Sequence, residues 1–168
     1  MNDAMKSCLL AGLLSIAAGP AQAEGLVAYK RLGLELARDL AQAAVDACRA
    51  DGYQVAVVVV DRGGDDQVML RDALASRFNV HMARGKANAV VLSGVDSSVF
   101  RKNRQDIRME VDHLPDLLML DGGLPVVAGA ELVGAIGVSG APGGDKDEVC
   151  ARRALEKLAE RLEFADSD

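Results

Sequence analysis

Two histidines, His81 and His113, are the strongest neutral nitrogen ligands in this chain of 168 residues. His81 falls in a stretch with helical spacing, where Phe78, His81, Gly85 and Asn88 share one face. An imidazole beside an aromatic ring, with a glycine one turn on, leaves room for the edge of a flat metal-bearing cofactor and offers it an axial ligand. Arg77 and Arg84 flank that face and could pair with carboxylate substituents of such a cofactor. His113, just before Leu114 and Pro115, is the second candidate ligand. Met69, Met82, Met109 and Met119 could each supply a thioether, but filling a core is the commoner use of methionine. On spacing alone, a surface or interface histidine in an ordinary hydrogen bond is the stronger reading of His81.

No constellation of residues supports hydrolysis, and we assign no catalytic residue. The chain has no G-x-S-x-G, H-E-x-x-H or C-x-x-C run, and no pair of carboxylates stands out as acid and base. Asp61-Arg62-Gly63-Gly64 is glycine-rich, but its spacing fits neither a dinucleotide fingerprint nor a P-loop, so a hairpin turn is the better reading. In Gly143-Gly144-Asp145-Lys146-Asp147-Glu148, Asp145 and Glu148 have the spacing of a capping box, and their charge opposes an external anion. Gly134, Gly137 and Gly140 mark close approach of a helix or of a flat ligand to a strand, with the helix preferred.

These residues need a scaffold. Leu and Ala recur at helical spacing over 27–50, and Asp51-Gly52 stops that helix. Residues 53–60 are Val-rich and apolar on both faces, as in a strand covered from two sides. The Asp61 turn returns the chain as a second strand over 67–71. Ser76 caps a second helix running to about residue 92. The charged stretch 94–113 reads as a short helix plus loop, ended by Pro115. Strands follow at 116–120, 125–128 and 132–139, and a terminal helix at 149–164. The order gives an α/β (α+β) fold, a single domain with a five-stranded, mainly antiparallel sheet flanked by helices.

The N-terminus reads as a secretory signal peptide over residues 1–23. It has Lys6, a short apolar run from Cys8 to Ala18, a Gly19-Pro20 break and an Ala21-Gln22-Ala23 cleavage site. Residues 24–168 then form the mature domain, periplasmic or secreted, with no membrane contact after cleavage. The net charge of −6 and the absence of Trp argue against nucleic acid and anionic membrane surfaces as partners. Cys48 and Cys150 survive cleavage. Two buried thiols are the preferred reading, and a disulfide between the first and last helices is the alternative.

Three blocks in fixed order complete the reading: Val57 to Gly64; Leu70-Arg71-Asp72-Ala73 with Gly85-Lys86-Ala87-Asn88-Ala89; and Gly122-Gly123-Leu124-Pro125-Val126 leading into Val133 to Gly140. Together they resemble the GlcG/HbpS family of haem-binding proteins. The resemblance implies haem or a related tetrapyrrole as cofactor and homo-oligomers from dimers to octamers. Arg71 and Lys86 are among the positions that match the family, and they join His81, His113, Arg77 and Arg84 as candidate cofactor-binding residues. The resemblance favours an exported accessory protein that binds or buffers haem without turnover. A haem-degrading enzyme and a ligand-free partner of another exported protein are the alternatives.

Overall fold

The computed structural model describes Gly25 and residues 27–163, so the leader expected at 1–23 lies outside the described residues. Six helices and four strands follow in the order α1 (Leu34–Ala50), β1 (Ala56–Asp61), β2 (Asp66–Arg71), α2 (Arg77–Ser93), α3 (Ser97–Asn103), α4 (Arg108–Val111), β3 (Gly123–Ala128), β4 (Glu131–Ser139), α5 (Gly144–Lys157) and α6 (Ala159–Glu163). The strands form one antiparallel sheet in the order β2-β1-β4-β3.

The sheet has four strands, not the five expected from the sequence. Residues 116–120 run alongside α2 instead of pairing with a strand. Asp116 sits at φ 57°, the Leu118 amide donates to the Gly85 carbonyl at 3.1 Å, and the Leu120 amide donates to Leu118 at 2.9 Å. These donors are spent on the helix and on a local turn, so none is left for a ladder. Gly85 permits the approach, since a Cβ there would lie 2.7 Å from Leu118 Cβ.

Both faces of the central strands are covered, as the Val-rich run predicted. Val57 and Val59 turn to one side and pack with Ile136, Val138 and the apolar faces of α1 and α5. Val58 and Val60 turn to the other and meet Ala83, Ala87 and Val90 of α2. On that side the helix rides directly on the sheet. A Cβ on Gly137 would fall 1.9 Å from the Ala83 carbonyl oxygen, and one on Gly123 would fall 2.3 Å from that of Lys86. Glycines on the sheet and alanines on the helix let two backbones meet.

Local signals explain most boundaries. Ser76 caps α2 by accepting from the Phe78 amide at 3.3 Å, and Gly94 ends it at φ 72°. Asp61 closes the β1–β2 turn by accepting from Gly63 and Asp65 at 2.8 and 3.1 Å. Three expectations need correction. α1 starts at Leu34 because residues 30–32 are held extended: the Lys30 amide donates to Glu131 and the Leu32 carbonyl accepts from Gln67 Nε2 at 2.8 Å. α5 starts at Gly144 with Gly143 at its cap, and no side chain caps it, so the Asp145–Glu148 box does not form. The charged stretch 94–113 contains α3, a 3-10 turn and α4 rather than one short helix.

Cys48 and Cys150 form a disulfide between α1 and α5, with Cα atoms 5.3 Å apart and a sequence separation of 102. The thiol reading therefore gives way to the crosslink. A loop of that length corresponds to about 4–5 kcal/mol of lost unfolded-state entropy. Nearby, buried Asp72 accepts from the Arg49 guanidinium and from the Val55 amide, tying the end of α1 to the start of β1.

Two measurements check this account. Gly137→Ala should lower unfolding free energy by about 2–3 kcal/mol or more in urea denaturation, because backbone stands where the methyl must go. Gly33→Ala, where an added Cβ meets nothing within 4 Å, should stay within about 0.5 kcal/mol of the parent. Replacing both cysteines by alanine should cost about 2–5 kcal/mol; an unchanged midpoint in urea would rule out a stabilising crosslink.

Candidate functional site

The outer face of α2 carries the first candidate ligand, His81. His81 is exposed there, and no hydrogen bond or ion pair among the described residues engages its imidazole. With Met82, Gly85, Asp116, Leu117 and Leu118 it lines a hollow of about 240 Å³. The hollow exists because residues 116–118 leave the sheet and lie against Gly85, so the departure from a fifth strand also builds this wall. Phe78 stands open to solvent at 58% exposure one turn before His81, with the Arg77 guanidinium 4.7 Å from its ring centre. Leu74, at 84% exposure, lies in the loop just ahead of the helix.

The remaining sequence candidates divide between elements. Arg84 lies on α2 but its guanidinium is committed to Asp66, with Nε 2.9 Å from both carboxylate oxygens, and that pairing raises its already high pKa. Arg71, at the end of β2, donates to the Ala75 carbonyl at 2.5 Å and so braces the loop into α2. His113 follows α4, holds its Nδ1 2.5 Å from the Met109 carbonyl, and is not among the residues around the His81 hollow. The structure thus gathers His81, Arg77 and Arg84 on one helix and places Arg71 and His113 elsewhere.

Lys86 turns the opposite way from His81, into the protein. The residue is 1% exposed, and Nζ donates to Asp147 Oδ2 at 2.7 Å and to the Val138 carbonyl at 2.8 Å. Asp147 Oδ1 accepts from the Ala141 amide at 2.9 Å. Burial pushes the Asp147 carboxyl above its ordinary pKa, against the opposing pull of Lys86 and the amide. The pair joins α2, the end of β4 and the first turn of α5. Sequence reasoning placed Lys86 on the binding face and gave Asp147 no role within the stretch read as the cap of the last helix. Nothing in local spacing links the two, because the contact spans 61 residues.

Comparison with known proteins agrees with this scaffold. The family described as "Haem degrading protein HbpS-like" matches residues 32–156. The chain belongs to the HbpS-like family. Its fold matches the crystal structure of HbpS with a TM-score of 0.76 and 38% identity, over 82% of this chain and 97% of HbpS. Protein GlcG of Escherichia coli (strain K12) is 26% identical over 108 residues, 64% of this chain and 81% of GlcG. A PduOC–haem complex shares the fold at a TM-score of 0.69 and 22% identity, covering 76% of this chain and 94% of that one. The matched family segment takes in α2, residues 116–118 and both partners of the buried ion pair.

The buried pair gives a test by substitution. Lys86→Met strands Asp147 without a cation and should cost about 3–5 kcal/mol, whereas Lys86→Met with Asp147→Leu should return close to parental stability. We read the pair as setting the rotation of α2, so the double variant should regain stability yet broaden the amide NMR signals of α2. Sharp, unshifted signals would remove that role. The pH dependence has a definite sign. A carboxyl raised in the folded state binds its proton more readily there than when unfolded. The stability it contributes is therefore fully present below the ordinary carboxylate pKa of the unfolded chain and is lost as pH rises through the raised folded pKa. Between those limits the parent should lose stability with rising pH relative to the double variant.

Proposed function

We propose that this chain is an exported, oligomeric accessory protein that binds haem or a related tetrapyrrole without turning it over. Membership of the HbpS-like family over residues 32–156 carries the reading, and the fold likeness to a protein solved as a haem complex supports it. The residues present suit the group. His81 offers an exposed imidazole with both ring nitrogens uncommitted, Gly85 keeps the adjacent turn low, and Leu117, Leu118 and Met82 give an apolar wall. Arg77, whose one contact among the described residues is with the Phe78 ring, can meet a propionate. When bound, haem supplies a redox-active iron whose potential is set by its axial ligand and surroundings.

The platform is half a site. Ligand cavities usually enclose roughly 300–1,000 Å³, and the His81 hollow falls below that range at about 240 Å³. Phe78 in the first turn of α2 and Leu74 in the loop before it are exposed, and such apolar groups suit burial against a second copy. A homo-oligomer that closes the hollow from the opposite side is therefore part of the proposal. His113 and Lys86 take no part in it, since one lies on another element and the other is spent on Asp147.

Hemin titration of the protein from residue 24 onward, followed in the Soret region, tests the reading. A saturable shift is expected, lost in His81→Ala, kept in His113→Ala and weakened in Arg77→Ala. A spectrum and affinity untouched by His81→Ala would remove that residue from the site. No saturable shift would turn attention to a protein partner. The family description favours one rival, oxidative haem degradation. With reductant and oxygen, product exceeding one equivalent per protein would replace binding by turnover.

A further inference from the structure

A second cavity, of about 320 Å³, opens between α2 and the glycine-rich start of α5. Lys86 reaches it from α2, Ser139 from the end of β4, and Asn79 from the first turn of α2. Met82 and Leu120 supply its apolar side. Its lining brings several hydrogen-bond donors to one cavity. An ammonium has three N–H bonds, and Lys86 spends two of them on Asp147 and Val138. The Ser139 side chain is 2% exposed, and no group among the described residues hydrogen-bonds its hydroxyl. The Asn79 side-chain amide likewise has no partner among the described residues, while its backbone N–H donates to the Ser76 carbonyl at 3.0 Å. Both carboxylates in the lining are already answered, Asp147 by Lys86 and the Ala141 amide, and Asp121 by Arg101 at 3.2 Å. The four charged side chains therefore cancel, and the α5 N-terminus adds partial positive charge.

We infer that this cavity binds a small monocarboxylate. Its oxygens accept from Lys86 Nζ, the Ser139 hydroxyl and the Asn79 amide, and its short apolar tail lies against Met82 and Leu120. A carboxylate offers four lone-pair positions on two oxygens, enough for three donors lining one cavity. A cationic ligand would meet the Lys86 ammonium and the Arg101 guanidinium in the same lining. An oxoanion without a tail would leave the apolar side uncovered. The inference does not rest on haem binding, since the donors that carry it lie inside the fold, away from the exposed His81 imidazole.

Sodium butyrate is the probe, titrated into the haem-free protein at ionic strength held constant with sodium chloride. Backbone amide signals of Gly143 and Gly144 and the Met82 methyl signal are followed by NMR. Saturable shifts centred on these residues are expected. Ser139→Ala should weaken binding roughly tenfold, the scale of one buried hydrogen bond to a charged group. Ser139→Thr, which keeps the hydroxyl, should restore most of the affinity, and Asn79→Ala should weaken it independently. Linear, unsaturated shifts matching those from chloride would overturn the site, as would equal affinity in the parent, Ser139→Ala and Asn79→Ala. Because the readout contains no haem, a failed hemin titration and a failed butyrate titration are separate outcomes.

Discussion

The direct seating of α2 on the sheet is the constraint from which the rest follows. Gly123 and Gly137 present bare backbone to the helix, and the carbonyls of Ala83 and Lys86 occupy the space where side chains would stand. At that separation a long residue on the inner face cannot reach solvent. Lys86 is such a residue, and its ammonium has to find acceptors where it lies. Val138 and Asp147 provide them. Because Asp147 sits in the first turn of α5 and also accepts from Ala141, the same contact fixes the loop after β4 and the starting point of the last helix.

The two faces of the sheet are stabilised by different means. The face under α1 and α5 is almost wholly apolar, and the Cys48–Cys150 bridge closes it between the two helices. Hydrophobic packing and chain entropy suffice there. The face under α2 has a smaller apolar cluster, and polar ties supplement it: Lys86 to Asp147, Arg84 to Asp66, and the Ser97 hydroxyl accepting from Gly123 at 2.9 Å. The cavity lined by Asn79, Lys86 and Ser139 lies on that side. A face held by hydrogen bonds can leave a donor over, as at Ser139, whereas an apolar face has none to spare.

Signals confined to a few residues were legible in the sequence. The Val-rich strand, the Asp61 hairpin turn, the Ser76 cap and the helix-facing glycines of β4 each follow from local chemistry, and the family blocks lie along these same elements. Features set by distant partners were not legible. Residues 116–120 have strand-like composition, yet their backbone is claimed by Gly85 of a helix folded much earlier in the chain. Asp147 looks like one more acid in a charged run until Lys86 is placed beside it. α1 is shortened by Glu131 and Gln67, and neither is near it in sequence. The cysteine pairing depends on α1 and α5 lying side by side, which no property of either helix alone dictates.

Rotation of α2 about its own axis links the inner and outer surfaces. Ala83, Ala87 and Val90 form its inward stripe, while His81 faces solvent on the other side. A slip of one residue would turn the helix by about 100° and drive larger side chains against Gly137, where even a methyl has no room. Small inward residues alone would exclude some settings but distinguish poorly among the rest, since alanine fits many surroundings. An ammonium that must meet one carbonyl and one carboxylate tolerates a single setting. Buried ion pairs contribute little net stability yet can fix register, and Lys86 has the position for that role. The exposed imidazole of His81 is then aimed by a carboxylate on α5 that lies on the far side of the helix.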